Sequence, residues 1–421
     1  MLSNEHAIAT DAYFDPGSEI ARTRLIGPPQ PATAPPIAML GVAFNNLSLP
    51  ETVSYIEKMI AARTPRYIVT ANVDFLVQSQ RDAELHRVLL DAHLVVCDGT
   101  PLVWASRLLG NPLPERVAGS DLVPELIRVA AKKNYRLFFL GATPEANEQA
   151  IANVRKQFPN LDISGYSPPF RPLSTSDNEE IIARIRAARP DILCVAFGCP
   201  KAEKWMVANL HSLCVPVTIG VGGTIDFLAG RMKRAPLWMQ RAGIEWLFRL
   251  WQEPRRLFRR YVTDLWHFGH AMLAQLWYLK IHFRPMVRRE FSCRVISEPA
   301  WCRIWMPEKI DATLVRHDRW ILEDAGRCHC LLDLADTDFV DSSGIGMLLQ
   351  LRRQVQSTGK CLVLIAPSHV LRRALELMHV KDLFLIASDA MEARKLIERQ
   401  KPQPEAAYKS NLENFLYGVP A

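Results

Sequence analysis

Short apolar runs recur along the first half of the chain, each closed by a polar or glycine-bearing turn and followed by a helix-length amphipathic segment. This alternation constrains the fold more than any other feature, because it builds βαβ units and a parallel sheet. Leu94-Val95-Val96-Cys97 ends in Asp98-Gly99. Tyr67-Ile68-Val69 stops at Thr70, and Asn72 and Asp74 then offer N-caps for the helix that starts near Phe75. Strands without polar alternation are covered on both faces, as in a doubly wound sheet. The pattern predicts helices over 50–63, 74–93, 101–109, 121–134, 145–158, 177–188 and 202–210. It predicts strands at Tyr67 and Leu94 and over 136–140, 161–166, 191–197 and 215–221. Ligands bind such sheets outside the carboxyl ends of the strands, so Thr70, Asn72 and Asp98 stand where chemistry can occur.

Several strands end in glycine-bearing turns: Asp98-Gly99, Gly141-Ala142-Thr143, Gly198-Cys199-Pro200-Lys201 and Gly220-Val221-Gly222-Gly223-Thr224. Glycine lets backbone N–H groups approach a phosphate closely, and the following helix adds its positive dipole end. None of these turns matches GxGxxG or a Walker loop, which argues against a nicotinamide enzyme and a P-loop ATPase. Glycines punctuate βα turns everywhere, yet four on one sheet edge point to a nucleotide-type ligand.

The net charge of +7 is concentrated in one place. Residues 231–260 alone net +7, through eight arginines and Lys233 against Glu245 and Glu253. The same block, helical from about 235 to 282, holds half of the chain's ten tryptophans. On a helical projection Leu257, Phe258, Tyr261, Val262, Leu265 and Phe268 share one arc, and Arg255, Arg256, Arg259 and Arg260 lie opposite. Such a helix suits an anionic membrane surface, although the apolar arc alone could equally pack on the α/β domain. Nucleic acid is disfavoured, since no helix-turn-helix, RNP or zinc motif accompanies the charge.

Length divides the chain further, because 421 residues exceed one ordinary core. The expected divisions are a disordered, proline-rich arm over 1–37, an α/β domain over 38–230, a basic helical appendage over 231–283, a small α/β domain over 284–400 and a loose tail over 401–421. In the small domain the pattern predicts strands over 302–306, 328–334, 361–366 and 383–387, with helices over 311–318, from about Ser342 to 356, over 368–378 and over 390–399. Nine scattered cysteines without a CxxC pair or zinc spacing favour a reduced cytosolic protein without a structural metal or other cofactor. No signal-peptide pattern opens the sequence, and no apolar run has spanning length.

The larger unit resembles the WecG/TagA/CpsF family of bacterial glycosyltransferases over about 40–276. The resemblance is carried by Thr70-Ala71-Asn72, Asp98-Gly99, Arg116-Val117-Ala118-Gly119-Ser120-Asp121, Gly198-Cys199-Pro200-Lys201, Gly222-Gly223-Thr224-Ile225-Asp226-Phe227, Arg234-Ala235-Pro236, Glu245-Trp246-Leu247-Phe248-Arg249-Leu250 and Glu253-Pro254-Arg255-Arg256. It implies inverting, metal-independent transfer of a hexose-type sugar from a UDP donor to a polyprenyl-diphosphate-linked sugar, as in exopolysaccharide or capsule assembly. It also implies peripheral attachment at the inner face of the cytoplasmic membrane, with the arginine-rich segment completing the site.

The residues fit that chemistry. Inverting transfer needs a base for the acceptor hydroxyl, for which Asp98 is the candidate, with Thr70 positioning a sugar. The departing UDP needs donors, and with no DxD pair these are Arg116, Arg249, Arg256, Arg259 and backbone N–H groups. Asn72, Gly141, Gly198, Lys201, Gly222 and Gly223 complete the expected substrate contacts. Glu203 and Asp226 are expected to accept from ribose or sugar hydroxyls. Ala202 stands where the family usually carries glutamine, which removes an amide from the donor side and leaves the donor sugar open.

The smaller unit looks like a STAS domain, the fold of anti-sigma factor antagonists, because Asp341-Ser342-Ser343-Gly344 follows a strand and opens a helix. The resemblance maps a phosphorylatable serine onto Ser342 and implies a regulatory or docking module with a protein partner; an N-capping role for Ser342 and Ser343 is the plainer reading. The rival to catalysis is a non-catalytic scaffold that binds a nucleotide sugar and signals through this domain.

Overall fold

The computed structural model describes residues 34–281, 293–297, 300–318, 321 and 327–399. Most of the expected arm and all of the tail from Lys401 therefore lie outside the described residues. In chain order the first part comprises β1 Ala34–Met39, β2 Val42–Asn46, α1 Leu49–Ala62, β3 Arg66–Ala71, α2 Val73–Ser79, α3 Ala83–Asp91, β4 Leu94–Cys97, α4 Thr100–Leu108, α5 Gly119–Lys133 and β5 Leu137–Gly141. Next come α6 Pro144–Gln157, β6 Ile163–Tyr166, α7 Thr175–Ala188, β7 Ile192–Ala196, α8 Lys201–Leu213, β8 Val217–Gly220 and α9 Thr224–Leu228. The basic block forms α10 Leu237–Arg241, α11 Glu245–Gln252 and α12 Pro254–Ile281. Beyond it are β9 Arg294–Ser297, β10 Trp301–Trp305, β11 Lys309–Ile310, α13 Ala312–His317, β12 His329–Asp333, β13 Phe339–Val340, α14 Ser342–Gln356, β14 Leu362–Ile365, α15 His369–Leu377, β15 Leu385–Ala387 and α16 Ala390–Arg399.

Six parallel strands form the main sheet in the order β4-β3-β8-β7-β5-β6, a Rossmann-like arrangement with helices on both faces. The apolar runs explain it: Ile68, Val69, Leu94, Val95, Cys194, Val195 and Ile219 are all fully buried, and a strand covered on both faces carries no polar side to alternate with. The chain leaves β4 at one edge and re-enters across the sheet at β5, so the loops after the central strands part above their carboxyl ends. That crevice is where such sheets bind ligands.

A second sheet, ordered β15-β14-β12-β10-β9, is parallel except for the antiparallel pairing of β9 with β10. With α13 to α16 it makes the expected small α/β unit.

Three expectations change. The helix predicted over 74–93 is two helices, because the Asp82 carboxylate accepts from the N–H groups of Glu84 (3.1 Å) and Leu85 (3.0 Å) and starts a new one. The arm predicted to reach residue 37 instead gives way by Ala34 to β1, which pairs antiparallel with β2. Pro35 and Pro36 sit in a two-stranded hairpin, where a missing N–H is tolerated. The apolar arc on α12 is also divided: Leu257 and Phe268 are buried, whereas Phe258, Val262 and Leu265 are more than half exposed.

Candidate functional site

Above the carboxyl ends of β3, β5, β7 and β8 lies a cavity of about 770 Å³, within the range of small-molecule sites. Its floor carries Thr70 and Gly220, one side carries Gly141 and Thr143, and the other Gly222, Gly223 and Asp226. The helices α6 and α8 point their N-termini at it, so two positive dipole ends converge there. Gly222 adopts φ +51, a region few side chains enter, and no atom stands within 4 Å of where its Cβ would be; the backbone is open to a ligand. Gly141 has φ +96, and a Cβ there would come within 2.8 Å of the Ala196 carbonyl oxygen, so only glycine closes this turn.

A second cavity of about 270 Å³ adjoins the first and is mainly apolar, lined by Trp104, Trp246, Tyr261 and Leu265 among others. The rings of Trp246 and Tyr261 meet edge to face at 6.2 Å. Asn72, Asp74, Asp98, Arg249 and Arg260 line both cavities, so these five side chains form the shared wall.

Local structure fixes that wall. The Asp98 N–H donates to the Ala71 carbonyl (2.8 Å), and the Val117 N–H to that of Cys97 (2.8 Å), which clamps the end of β4 beside β3. Asn72 caps α2 by accepting from the Phe75 N–H at 3.3 Å, leaving its amide NH₂ toward the cavities. Thr70 donates to the Gly220 carbonyl at 3.2 Å and keeps its lone pairs free to accept.

Behind the wall is an ion network. Arg116 donates to Glu245 (2.8 Å) and Asp121 (2.9 Å), and Arg234 donates to Asp121 (2.6 Å). Arg249 approaches Glu245 at 3.5 Å, and its buried Nε has no partner among the described residues. Arg116 is thus occupied with orienting the site, whereas Arg249 has capacity left for an anion.

Burial raises the Asp98 carboxyl above the ordinary carboxylate range, opposed by the charges of Arg116 and Arg249 and reinforced by Asp121 and Glu245. A carboxylate moved toward neutrality is a stronger base. Burial and the neighbouring Asp74 push Asp264 up to about 6, against Arg260. Glu203, on the first turn of α8 and 3% exposed, borders the larger cavity and is pushed up to about 8 by burial. It is therefore a neutral acid at pH 7, able to donate a hydrogen bond as well as to accept one.

Among the residues singled out from sequence, Asp98, Thr70, Asn72, Gly141, Gly198, Lys201, Glu203, Gly222, Gly223, Asp226 and Arg249 line the larger cavity, and Arg116 lines the smaller. Arg259 is not brought to the site: it borders an open apolar groove with Leu247, Trp251 and Phe258. The Arg256 side chain lies outside the described residues. Sequence reasoning missed Arg260, Tyr261 and Asp264 as wall residues; the i,i+4 spacing of Arg260 and Asp264 (4.0 Å apart) on one helix was the available signal. It also missed Phe170, a fully exposed ring on a Pro-Pro loop at the rim of the larger cavity.

Asp341, not a serine, is the N-cap of α14, accepting from the N–H groups of Ser343 (2.8 Å) and Gly344 (2.9 Å). Ser342 is 1% exposed.

Residues 37–281 match the model of the glycosyl transferase WecG/TagA/CpsF family, and residues 308–393 match that of the STAS domain. The N-acetylglucosaminyldiphosphoundecaprenol N-acetyl-beta-D-mannosaminyltransferase of Bacillus subtilis (strain 168) is 33% identical over 216 residues, 51% of this chain and 83% of the relative. The enzyme of the same name from Staphylococcus aureus (strain MW2) is 30% identical over 225 residues, 53% of this chain and 87% of the relative. Among solved structures, the phosphorylated Bacillus cell fate determinant SpoIIAA aligns with 25% of this chain and 99% of its own, at 18% identity and a TM-score of 0.23.

Proposed function

The chain belongs to the WecG/TagA/CpsF family of glycosyl transferases and carries a STAS domain, and from that premise we propose that it moves a hexose-type sugar from a UDP donor to a polyprenyl-diphosphate-linked sugar in bacterial polysaccharide assembly. The observation that carries this reading is the position of Asp98 on the wall common to a polar, glycine-lined cavity and a smaller apolar one. The larger takes the nucleotide sugar and the smaller the acceptor. The relatives' printed names, which specify a sugar attached through a diphosphate to undecaprenol, support the acceptor class.

In the proposed step Asp98 removes the proton from the acceptor hydroxyl as its oxygen attacks the anomeric carbon from the face opposite UDP. The bond to the diphosphate oxygen breaks and the configuration inverts. Negative charge accumulates on the departing diphosphate, where Arg249 and the positive dipole ends of α6 and α8 receive it without a metal ion. Arg116 and Arg234, locked to Asp121 and Glu245, hold α11 and therefore Arg249 in place. Asn72 and Thr70 are within the larger cavity to orient sugar hydroxyls, and Asp226 to accept from them. Ala202 borders that cavity with a methyl group, so this position offers the donor no amide.

Membrane attachment rests on the outer surface of α11 and α12. Trp251, Phe258, Val262, Leu265 and Trp266 are exposed by 53–78%, with Arg255 and Arg259 beside the first two in the open groove. Aromatics flanked by arginine fit an anionic interface in which the helix lies rather than spans. No helix among the described residues is long and apolar enough to cross a membrane. A screen of UDP-hexoses against a polyprenyl-diphosphate-linked sugar, read by mass spectrometry of lipid-linked products, tests the function. One donor should give a product heavier by one hexosyl unit; silence with all of them would leave nucleotide-sugar binding without transfer.

A further inference from the structure

The helix α14, on whose first residue the STAS resemblance places a phosphorylatable serine, is already covered by this chain's own first strands and by α12. Gly346 approaches β1 so closely that a Cβ would lie 2.9 Å from the Pro36 carbonyl oxygen and 3.3 Å from the Ala38 N. Ala38 of β1, Ala43 of β2 and Leu90 of α3 belong to the same buried cluster as Ile345, Leu348 and Leu349 of α14. At the rim Arg352 meets Asp91 at 3.5 Å and Arg353 donates to the Ala92 carbonyl. On its other side the hairpin is tied to the main sheet, since the Val95 N–H donates to the Asn45 side chain at 3.0 Å.

One side chain joins all three elements. Gln275 of α12, 5% exposed, accepts from the Leu40 N–H (3.0 Å) and donates to the Ala38 carbonyl (3.0 Å) and to the Ser342 hydroxyl (3.2 Å). Leu40 needs that help: at the hairpin tip it has φ +46, followed by Gly41 at φ +82, a turn that disfavours a leucine. One turn after Gln275, Tyr278 donates to the Val370 carbonyl at 3.0 Å. The C-terminal half of α12 is thus gripped between the hairpin and the STAS domain. Its N-terminal half carries Arg260, Tyr261 and Asp264 into the smaller cavity, about 16 Å away along the helix from Asp264 to Gln275 at 1.5 Å per residue.

We propose that the STAS domain serves as an intramolecular brace for the acceptor side of the site, with Gln275 as the positioning residue that transmits its hold through α12 to Arg260, Tyr261 and Asp264. The donor cavity, built mainly on strand ends of the main sheet, meets this linkage only at Arg260. The kinetic part of the inference rests on reading the smaller cavity as the acceptor site; the structural part does not.

The test uses the full-length protein with three variants: Ser342→Ala, which removes one hydrogen bond; Gln275→Met, which keeps volume and removes three; and Gly346→Leu, which wedges α14 from β1. Hydrogen exchange is followed over 254–266, and KM is measured separately for donor and acceptor. With each lost hydrogen bond weakening the grip several-fold, Gln275→Met should speed exchange over 254–266 about tenfold or more and raise acceptor KM, leaving donor KM within about twofold. Ser342→Ala should move the same quantities in the same direction by less. The proposal is overturned if Gln275→Met leaves exchange over 254–266 unchanged, or if it raises both KM values together. It is equally overturned if Gly346→Leu opens β1 and α14 to exchange while 254–266 and acceptor KM stay at wild-type values. Should Gly346→Leu fail to fold, the two milder variants decide. If wild type transfers no sugar, the function falls, and exchange alone still decides the brace.

Discussion

Replacing Glu203 by glutamine isolates the consequence of burying a carboxyl group beside the donor cavity. The side chain is 3% exposed, its Oε2 has no hydrogen-bond partner among the described residues, and Gly220 is its close neighbour: a Cβ there would sit 2.5 Å from Oε1. Burial moves its pKa from 4.5 to about 8. Between those values the folded protein keeps a proton that the unfolded chain has released, so stability falls as pH rises. The slope is at most about 1.4 kcal/mol per pH unit, or on the order of 3 kcal/mol between pH 5 and 7.5. Glutamine mimics the neutral acid and does not titrate. Urea unfolding of both proteins across that range gives the difference directly, since groups common to both cancel. The stability of Glu203→Gln relative to wild type should grow by about 3 kcal/mol from pH 5 to 7.5. Parallel curves within about 1 kcal/mol would mean that Glu203 is ionised in the fold, and the picture of a neutral donor facing the ligand would fail.

Two further outcomes follow from the site and its surface. Arg249→Lys keeps the charge but loses the planar fork, and kcat should drop about 100-fold with unfolding unchanged; a drop under about threefold would remove Arg249 from the diphosphate. Changing Arg255 and Arg259 to glutamate, or Trp251 and Phe258 to serine, should abolish flotation with anionic liposomes while turnover of a short, water-soluble acceptor persists. Binding undiminished in both pairs would show that this face is not the anchor.

Sequence disclosed most of the residues that line the larger cavity because their local structure is legible within a few positions. A strand end, a capping Asn72, an Asp98-Gly99 pair and the Gly222-Gly223 turn each announce themselves within a few residues. The wall of the smaller cavity did not, since helical periodicity groups Arg260 with Arg255, Arg256 and Arg259 opposite the apolar arc, whereas in the fold its guanidinium lies 3.9 Å from the distant Asp74 and 4.0 Å from Asp264. Periodicity sorts faces of a single helix; it cannot say which face meets a partner far away in the chain. The same blindness hid β1: Pro35 and Pro36 read as the end of a disordered arm, and only pairing with β2 and packing under α14 give them a place. Gln275 makes three bonds, all to segments remote in sequence, which no pattern within its own helix announces. Arg116 was visible as a charged motif residue, but its commitment to Glu245 and Asp121 was not.

The catalytic account stands most directly on Asp98→Asn, assayed for sugar transfer alongside UDP binding by calorimetry. The substitution keeps the side chain's shape on the wall between the two cavities and removes its charge together with its capacity to take a proton. Transfer should fall by about 100-fold to 10,000-fold, the range for loss of a general base, with UDP affinity within about twofold of wild type. Transfer at the wild-type rate by the asparagine variant would contradict the assignment of the base and the mechanism built on it.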